Sequence, residues 1–366
     1  MTTIQAWQHI YSNVEKEQSP KNRGGFQTLF YTQDGLTADE VSEMEGRLLY
    51  FPSKTGEPVK RVFFTTTTGK VVIAQIVVLP DPDQFGRKGR YLAHALAFNE
   101  DDLLKIEVDP FRVFRSFTFF NTVEQALAQG NFESGDFPAA SVDVTRVAGQ
   151  ESRAAAQWPA GELAKLALLA LRVDRQTAGR EAITVAGTEA EIETAIEAAF
   201  LAVPAAMRSH CTFDTYFYRC NLVATFYWAI GLPEMPVSIK FVAVDGAARQ
   251  VQGAAPTQPE TAYERWAVAA LDNKKFDRLV QSRDQAFAVA EWLEGRPYDQ
   301  ALLDAAAPRI VEEVFEVNPA TVQAALRRAV GQHLPEVLID RAADQIDGQA
   351  SPQDCYHHLR QGFTMS

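Results

Sequence analysis

The sequence predicts an α+β protein with a β-rich N-terminal domain, an α/β middle domain and an all-helical C-terminal region. Hairpin and strand patterns cluster before residue 120, and strand and helix patterns mix in the middle of the chain. After residue 250 only helical periodicity remains. We place the domains at residues 1–150, 151–250 and 251–366, because stretches 131–158 and 246–259 have the Gly, Ser, Pro and Gln content that is typical of linkers.

Composition indicates a folded chain and excludes some classes of partner. The chain has 366 residues, of which 46% are apolar and 22% charged, enough for two or three cores. Its formal net charge of −12 repels phosphate backbones and anionic lipid, so we expect neither nucleic acid nor membrane as a partner. Cys211, Cys220 and Cys355 have no framework spacing, and no signal-peptide or membrane-span pattern occurs. We therefore expect a soluble, cytoplasmic protein.

Strand and helix signals alternate through the N-terminal domain. The boxes Thr37-x-x-Glu40 and Thr122-x-x-Gln125 each predict a helix start, because both side chains satisfy free backbone amides. Thr68-Gly69-Lys70 between two β-rich runs predicts a hairpin. The predicted strands are Gln5–Ser12, Phe26–Thr32, Arg61–Thr67, Val71–Leu79, Tyr91–Phe98 and Arg112–Phe120.

The middle domain mixes both element types, and the C-terminal region is helical in pattern. Helices are predicted over Glu162–Arg172 and after the capping box Thr188-x-x-Glu191, and a further box, Thr261-x-x-Glu264, opens the helical region. Short amphipathic segments continue from there to 352–361. Predicted strands are Ala182–Ala186, Cys211–Tyr218, Leu222–Ile230 and Ser238–Val244.

The segment Asp81–Asn99 is the candidate functional stretch. Gly86 and Gly89 allow the loop to fold back, and its arginines present planar forks to an anion or a partner. Alternatively, Arg87 and Arg90 fix the loop against Asp81 and Asp83 as ordinary ion pairs, which is the role we expect to dominate. The partner- or anion-binding candidates are Asp81, Asp83, Arg87, Lys88, Arg90 and His94.

His94 has two interpretations. Beside Asp81 or Asp83 it could act as an acid–base group. Within the apolar run YLAHALAF, however, a histidine is more often a core residue with a backbone partner, and we expect it to be buried and hydrogen-bonded.

No catalytic, metal or cofactor signature is complete. The sequence lacks a P-loop, a G-x-G-x-x-G loop, a G-x-S-x-G elbow, an H-E-x-x-H motif and any C-x-x-C pair. The tail cluster Cys355, His357 and His358 would need metal ligands from elsewhere, such as His333. We therefore predict no catalytic residue, no metal site and no cofactor.

Short motifs in the first 230 residues resemble a bacterial family. Gln5, Tyr11-Ser12, Gly25-Phe26-Gln27, Asp34-Gly35-Leu36 and the run Phe85-Gly86-Arg87-x-Gly89-x-Tyr91-x-x-His94-x-Leu96 are similar to the N-terminal region of the GTPase-associated protein one family. Val203-Pro204-x-x-x-Arg208 with Cys211-Thr212-Phe213-Asp214 resembles its middle domain. The chain departs from the family at Arg90, where Asn is usual, and at Cys211 and Asp214.

The resemblance implies a non-catalytic adaptor or regulatory binding module of a bacterial GTPase-associated conflict or signalling complex. Its partners would be a GTPase or other proteins encoded nearby, and no catalytic residue is carried over. The alternative is a divergent hydrolase or nucleotide- or anion-binding enzyme that uses the Asp81–His94 loop. The two hypotheses differ in whether the polar groups of this loop converge on one point or lie in separate interactions.

Overall fold

The computed structural model describes residues 1–51, 58–82, 86, 88–147, 149–174, 182–217, 227–236 and 242–331. Within these ranges, eleven strands form one mixed sheet in the order β11-β10-β7-β9-β8-β3-β4-β5-β1-β2, with β6 paired to β1. The strands are β1 (Thr2–Val14), β2 (Gly25–Tyr31), β3 (Lys60–Thr65), β4 (Val71–Val78), β5 (Tyr91–Phe98), β6 (Ala140–Val144), β7 (Ile183–Ala186), β8 (Phe213–Asp214), β9 (Ala229–Leu232), β10 (Val242–Asp245) and β11 (Gln250–Gly253).

Helices cover the sheet and form the C-terminal region of the described chain. A short 3-10 helix, Lys16–Gln18, follows β1. The α-helices are α1 (Ala38–Arg47), α2 (Glu100–Leu104), α3 (Pro110–Ser116), α4 (Val123–Leu127), α5 (Gln150–Ala156), α6 (Ala160–Leu171), α7 (Glu189–Phe200), α8 (Ala205–Arg208), α9 (Ala262–Asp272), α10 (Phe276–Glu294), α11 (Gln300–Asp304), α12 (Pro308–Glu316) and α13 (Pro319–Gly331). The predicted α+β class, with a sheet-rich N-terminal region followed by helices, is confirmed.

The sheet is antiparallel in its N-terminal part and parallel in its middle part. Strands β3, β4, β5, β1 and β2 pair antiparallel, whereas β8, β9, β7 and β10 pair parallel. The two parts join where β3 pairs with β8, and the buried Lys60 Nζ lies 2.6 Å from Asp214 Oδ2 at this seam. The predicted domains 1–150 and 151–250 therefore share one sheet, while their boundaries stay a prediction.

The capping boxes identified the helix starts correctly. In each box the threonine hydroxyl accepts a hydrogen bond from the backbone amide three residues later. The glutamate or glutamine at that later position accepts one in turn from the backbone amide of the threonine. The threonines are Thr37, Thr122, Thr188 and Thr261. The signal is reliable because both groups lie within one turn of helix, so no distant contact decides it.

The predicted strand Arg112–Phe120 is wrong, because this segment begins with helix α3. The Asp109 carboxylate accepts hydrogen bonds from the backbone amides of Phe111 and Arg112, and Pro110 occupies the first helical position. Proline is favoured there because that position needs no backbone donor. The capping aspartate therefore overrides the β propensity of the phenylalanines.

Both predicted linkers contain regular structure and are corrected. Residues 131–158 include β6, whose residues alternate between buried and exposed and which pairs with the first part of β1, and also α5. Residues 246–259 include β11, which forms a hairpin with β10. Of the predicted strand Cys211–Tyr218, residues 211–217 are described, and within them the two residues of β8 form a strand. Residues 222–226, 238–241 and 352–361 lie outside the described ranges, as does the tail cluster of Cys355, His357 and His358.

The core lies on both faces of the sheet. Phe63 and Phe64 follow each other on β3, so their side chains point to opposite faces, and each belongs to a different apolar cluster. Helix α1 covers one face. The other face packs against α3, α6 and α7, and its cluster continues without interruption to Ala325 in α13. Helix α9 packs on α6 and α10, so the helical region adjoins the middle part of the chain directly.

Candidate functional site

The loop singled out in the sequence lies where two neighbouring strands end. Because β1 and β5 pair antiparallel, the last residues of β1 lie beside the first residues of β5. Ser12 Oγ donates a 2.8 Å hydrogen bond to the backbone carbonyl of Tyr91, which fixes this end of the pair. The β1–β2 loop and the β4–β5 loop therefore emerge side by side, which sequence alone did not reveal.

The structure describes four of the six predicted site residues, and these four differ in burial. Asp81 and Lys88 are exposed on the β4–β5 loop, whereas Arg90 and His94 are buried. Asp83 and Arg87 lie outside the described residues. Gly86 and Gly89 have φ values of +74° and +93°, the left-handed backbone that lets the loop fold back. A binding role for this set stays a prediction.

Arg90 anchors the loop through backbone carbonyls. Its Nε and Nη2 donate to the carbonyl of Asn13 at 3.1 and 2.9 Å, and Nη1 donates to the carbonyl of Pro82 at 3.5 Å. The described contacts thus tie the β4–β5 loop to the end of β1. Asp81 is exposed, and the expected pairing of Arg87 and Arg90 with Asp81 and Asp83 stays a prediction, because Asp83 and Arg87 lie outside the described residues.

His94 is a core residue, as its apolar flanks predicted. The backbone amide of Phe120 donates to Nδ1 at 3.1 Å, so Nε2 carries the proton and donates to Gln8 Oε1 at 2.9 Å. The ring stacks on Phe120 with centroids 4.3 Å apart. Burial, with a smaller contribution from His9, lowers the pKa of His94 to about 3. Both ring nitrogens are occupied, so the ring is not placed for acid–base work with the loop carboxylates.

A cluster of aromatic rings lies beside the loop and was not predicted as part of the site. Tyr91, the first residue of β5, has its ring centroid 4.7 Å from that of Phe26 on β2 and 6.1 Å from that of Tyr11 on β1. Tyr50 adds a third neighbour at 6.0 Å. Three strands and the chain after α1 contribute these rings. Only strand pairing brings them together, so no local pattern indicates the cluster.

Phe26 is the exposed member of this cluster. Its side chain is 46% exposed, whereas Tyr91 and Tyr11 beneath it are 3% and 8% exposed. Burial raises the pKa of both tyrosine hydroxyls above the usual value, so the rings stay neutral. Phe26 is thus an exposed apolar side chain on a rigid, uncharged support.

A hydrogen-bonded chain holds helix α1 against this end of the sheet. Thr28 Oγ1 donates to Glu45 Oε1 at 2.5 Å, and the Thr28 backbone amide donates to the same oxygen at 3.2 Å. Since the Thr28 hydroxyl proton is used, His9 Nε2 donates to Thr28 Oγ1 at 2.7 Å. Burial, followed by the charge of Lys21, lowers the pKa of His9 to about 3, so this ring is neutral. His9 therefore adds no charge beneath this end of the sheet near neutral pH.

Exposed basic side chains lie on the two loops that adjoin Phe26 and Tyr91. Lys21 and Arg23 on the β1–β2 loop and Lys88 on the β4–β5 loop are all exposed. We call Phe26, Tyr91, Lys21, Arg23 and Lys88 the aromatic–basic surface. An apolar centre with a charged rim is the usual composition of a protein–protein interface, and such a surface fits a partner better than a reacting substrate.

A separate group of buried charges joins distant parts of the chain. Arg283 on α10 donates to Glu151 on α5 at 2.7 Å and also contacts Glu107, while Arg208 donates to the backbone carbonyl of Glu107 at 3.0 Å. Arg112 contacts Glu107 and Glu151 as well. We call Glu107, Asp109, Arg112, Glu151, Arg208 and Arg283 the buried ion cluster.

The buried ion cluster is electrostatically balanced. Burial by itself raises the pKa of Glu151, but the guanidinium groups of Arg283, Arg208 and Arg112 outweigh it and hold that pKa well below its usual range. The charges satisfy one another inside the molecule, so the cluster has a structural role.

Glutamates on α7 bind the N-terminal part of the sheet. Glu189, Glu193 and Glu197 follow at intervals of four residues, so they share one face of the helix. Glu189 Oε2 accepts the backbone amide of Val59 at 3.1 Å, Glu193 pairs with Arg61, and Glu197 pairs with Arg115 at 2.8 Å. These contacts hold the helix across the seam of the sheet.

The described residues contain neither a metal-binding cluster nor a helix that could span a membrane. No group of three or more His, Cys, Asp or Glu side chains there is arranged to hold a metal ion. Among the helices described, none is both long and apolar enough to cross a membrane.

The chain is a mixed α+β protein with the aromatic–basic surface at one end of the N-terminal part of its sheet. Residues 5–130, which contain the whole aromatic–basic surface, match the family model of GTPase-associated protein 1, N-terminal domain type 2. The resemblance of the N-terminal region to the GTPase-associated protein family is therefore confirmed. The match ends before the middle part of the chain, where the resemblance stays a prediction. No curated protein matches the chain.

Proposed function

We propose that this chain is a non-catalytic adaptor or regulatory binding module of a bacterial GTPase-associated conflict or signalling complex. The observation that carries the proposal is the family match over residues 5–130, because it links the chain to GTPases by name. In this proposal the N-terminal part of the sheet docks the GTPase, or another protein encoded nearby. The rest of the chain holds that surface in place or binds further components.

The geometry of the predicted loop favours binding over catalysis. A hydrolase that used this loop would need His94 to reach a substrate together with the loop carboxylates. Instead His94 is enclosed in the core by Gln8 and Phe120, while Asp81 points into solvent. The described polar groups of the loop thus lie in separate environments, which is the arrangement that the adaptor hypothesis expects.

The test is co-purification of the chain with the products of its neighbouring genes. We expect a GTPase to be retained at a fixed ratio, and titration of the two purified proteins to give a dissociation constant in the micromolar range or tighter. Arg87→Ala and Lys88→Ala should weaken binding while leaving the melting temperature almost unchanged. Lys105→Ala is the matched control, because Lys105 is exposed and lies away from this surface, paired with Asp102.

Nucleotide turnover separates this proposal from the enzyme alternative. The sequence has no P-loop to hold a triphosphate, so the purified chain alone should not hydrolyse GTP or ATP. Turnover that a point substitution in this chain abolishes would favour the enzyme. Failure of the purified chain to bind any co-encoded GTPase would contradict the adaptor.

A further inference from the structure

We infer that the aromatic–basic surface binds an acidic segment of the GTPase partner, with Phe26 as the central apolar anchor and Lys21, Arg23 and Lys88 as the charged rim. This inference rests on the proposed function and adds the chemistry of the contact. Three properties of the surface support it: the rigidity of the anchor, the sign of the charge, and the continuity of the surface across two loops.

The first property is that Phe26 is held in position before any partner arrives. Its ring lies against Tyr91 at 4.7 Å, and stacks on Tyr11 at 6.1 Å with an interplanar angle of 18°. Both supporting rings belong to the central strands β5 and β1, which pair along their whole shared length. A rigid aromatic side chain loses little conformational entropy on binding, which is why aromatic residues dominate the energetic centres of interfaces.

The second property is charge. Of the described residues in the β1–β2 loop (15–24) and the β4–β5 loop (79–90), four exposed ones are basic (Lys16, Lys21, Arg23 and Lys88) and two are acidic (Glu17 and Asp81), in a chain whose net charge is −12. The surface is thus a basic area on an acidic molecule, and complementary charge draws an acidic protein surface to it. A nucleic acid is disfavoured, because Glu17 and Asp81 lie among the basic residues and the remaining surface repels a long polyanion.

The third property is that the two loops form one continuous surface. Arg90 ties the β4–β5 loop to Asn13 at the end of β1, immediately before the β1–β2 loop. Lys88 therefore lies on the same end of the sheet as Lys21 and Arg23. Symmetric pairing of two copies through this surface would oppose like charges, so a distinct acidic partner fits better than a second copy.

The experiment uses the full chain and the purified co-encoded GTPase. A photo-reactive p-benzoylphenylalanine placed at position 26 should cross-link to the GTPase, and the attached peptide should be rich in Asp and Glu. The same group at position 132 is the control, because Phe132 is also 46% exposed but lies outside the matched segment. It should give no cross-link.

Binding constants give an independent readout. Phe26→Ala should weaken binding about tenfold or more, whereas Phe132→Ala should not. The combined variant Lys21→Glu, Arg23→Glu and Lys88→Glu should also weaken binding, and it should remove most of the dependence of affinity on salt. These lysines and arginine are exposed, so the variant should keep the wild-type melting temperature, and lost binding would not reflect unfolding.

The outcomes separate this inference from the proposed function. If the GTPase binds but cross-links only at position 132, or through a neutral or basic peptide, the surface or its chemistry is wrong and the adaptor proposal stands. Cross-linking between two copies of this chain, or binding of a 30-mer oligonucleotide that the charge-reversed variant loses, would also overturn the inference. If the GTPase does not bind at all, the proposed function and this inference both fail.

Discussion

Arg283 Nη1 in helix α10 donates a 2.7 Å hydrogen bond to Oε2 of Glu151 in helix α5, across a separation of 132 residues. The Arg283 side chain is completely buried and also contacts Glu107. One side chain of the C-terminal helical region therefore contacts two carboxylates, one before and one after β6 in the sequence. The helical region is bound to the rest of the molecule by charge as well as by apolar packing.

Arg283→Met should strongly destabilise the protein. Methionine fills similar space, but it leaves Glu107 and Glu151 partly uncompensated in the interior, and breaking a buried ionic pair costs about 3–5 kcal/mol. Urea unfolding followed by circular dichroism measures this cost. Arg309→Met is the control, because Arg309 is 70% exposed and pairs with Glu313 at 3.5 Å, an interaction worth about 0–1 kcal/mol. Equal stability of the two variants would mean that the buried ion cluster does not couple these segments.

Local signals predicted much of the fold. The four capping boxes gave helix starts, and the Thr-Gly-Lys turn gave the β3–β4 hairpin, because each depends on residues that are neighbours in sequence. The strand prediction fails at α3, because the local capping signal of Asp109 and Pro110 outweighs the β propensity of the phenylalanines around it. That error was avoidable from the sequence.

Other features could not have been predicted locally. Strand β6 pairs with the start of the chain. The side-chain hydrogen bonds between the two strands join residues that are 136 and 140 positions apart, and nothing within β6 identifies that partner. The aromatic–basic surface likewise needs the register of β1 against β2 and β5. Among the residues of this surface, the sequence predicts a binding role for Lys88, and Phe26 appears there only within the family motif Gly25-Phe26-Gln27.

His94→Ala should lower the free energy of unfolding by roughly 1–3 kcal/mol, because the substitution removes the hydrogen bonds that His94 makes with the buried Phe120 amide and with Gln8 Oε1. The measurement is denaturant unfolding near neutral pH. Gln75→Ala is a control on a neighbouring strand, since the one side-chain hydrogen bond of Gln75 within the described residues is an exposed contact of 3.3 Å with Asn121. Full stability of His94→Ala with loss of an activity would instead support the enzyme alternative.

Limited proteolysis tests the predicted domain boundaries. The regular structure within the predicted linkers narrows the expected cleavage to the exposed turn 131–134 and to residues 254–259, which follow β11. Strand β6 and helix α5 should resist, because their backbone groups are paired. Mass spectrometry of early fragments identifies the cuts. Cleavage inside 61–79 before these two places would contradict both the boundaries and the β3–β4 hairpin.

The titration of Glu197 should lower the free energy of unfolding of the protein as pH rises from 4.5 to about 7. Burial raises its pKa from 4.5 to about 7 even though Arg115 opposes the shift, and the charges of Asp109 and Glu151 add to the increase. Between these two pH values the folded state keeps a proton that the unfolded state has lost. The contribution of Glu197 to the free energy of unfolding therefore falls as pH rises from 4.5 to 7.

Glu197→Gln removes this titration and preserves the size of the side chain. The free energy of unfolding of the variant, relative to wild type, should increase as pH rises from 4.5 to about 7, as measured by urea unfolding across that range. Glu162→Gln is the control of opposite sign: burial raises the pKa of Glu162, but hydrogen bonds from Lys165 and the Val251 amide outweigh it and lower that pKa. Its variant should lose stability relative to wild type as pH rises toward 4.5, because the lowered pKa places this titration below 4.5, and should show no such change between pH 4.5 and 7. If both variants show the same pH dependence, Glu197 is not titrating against its buried surroundings, and the α7 contact with Arg115 is an ordinary surface ion pair.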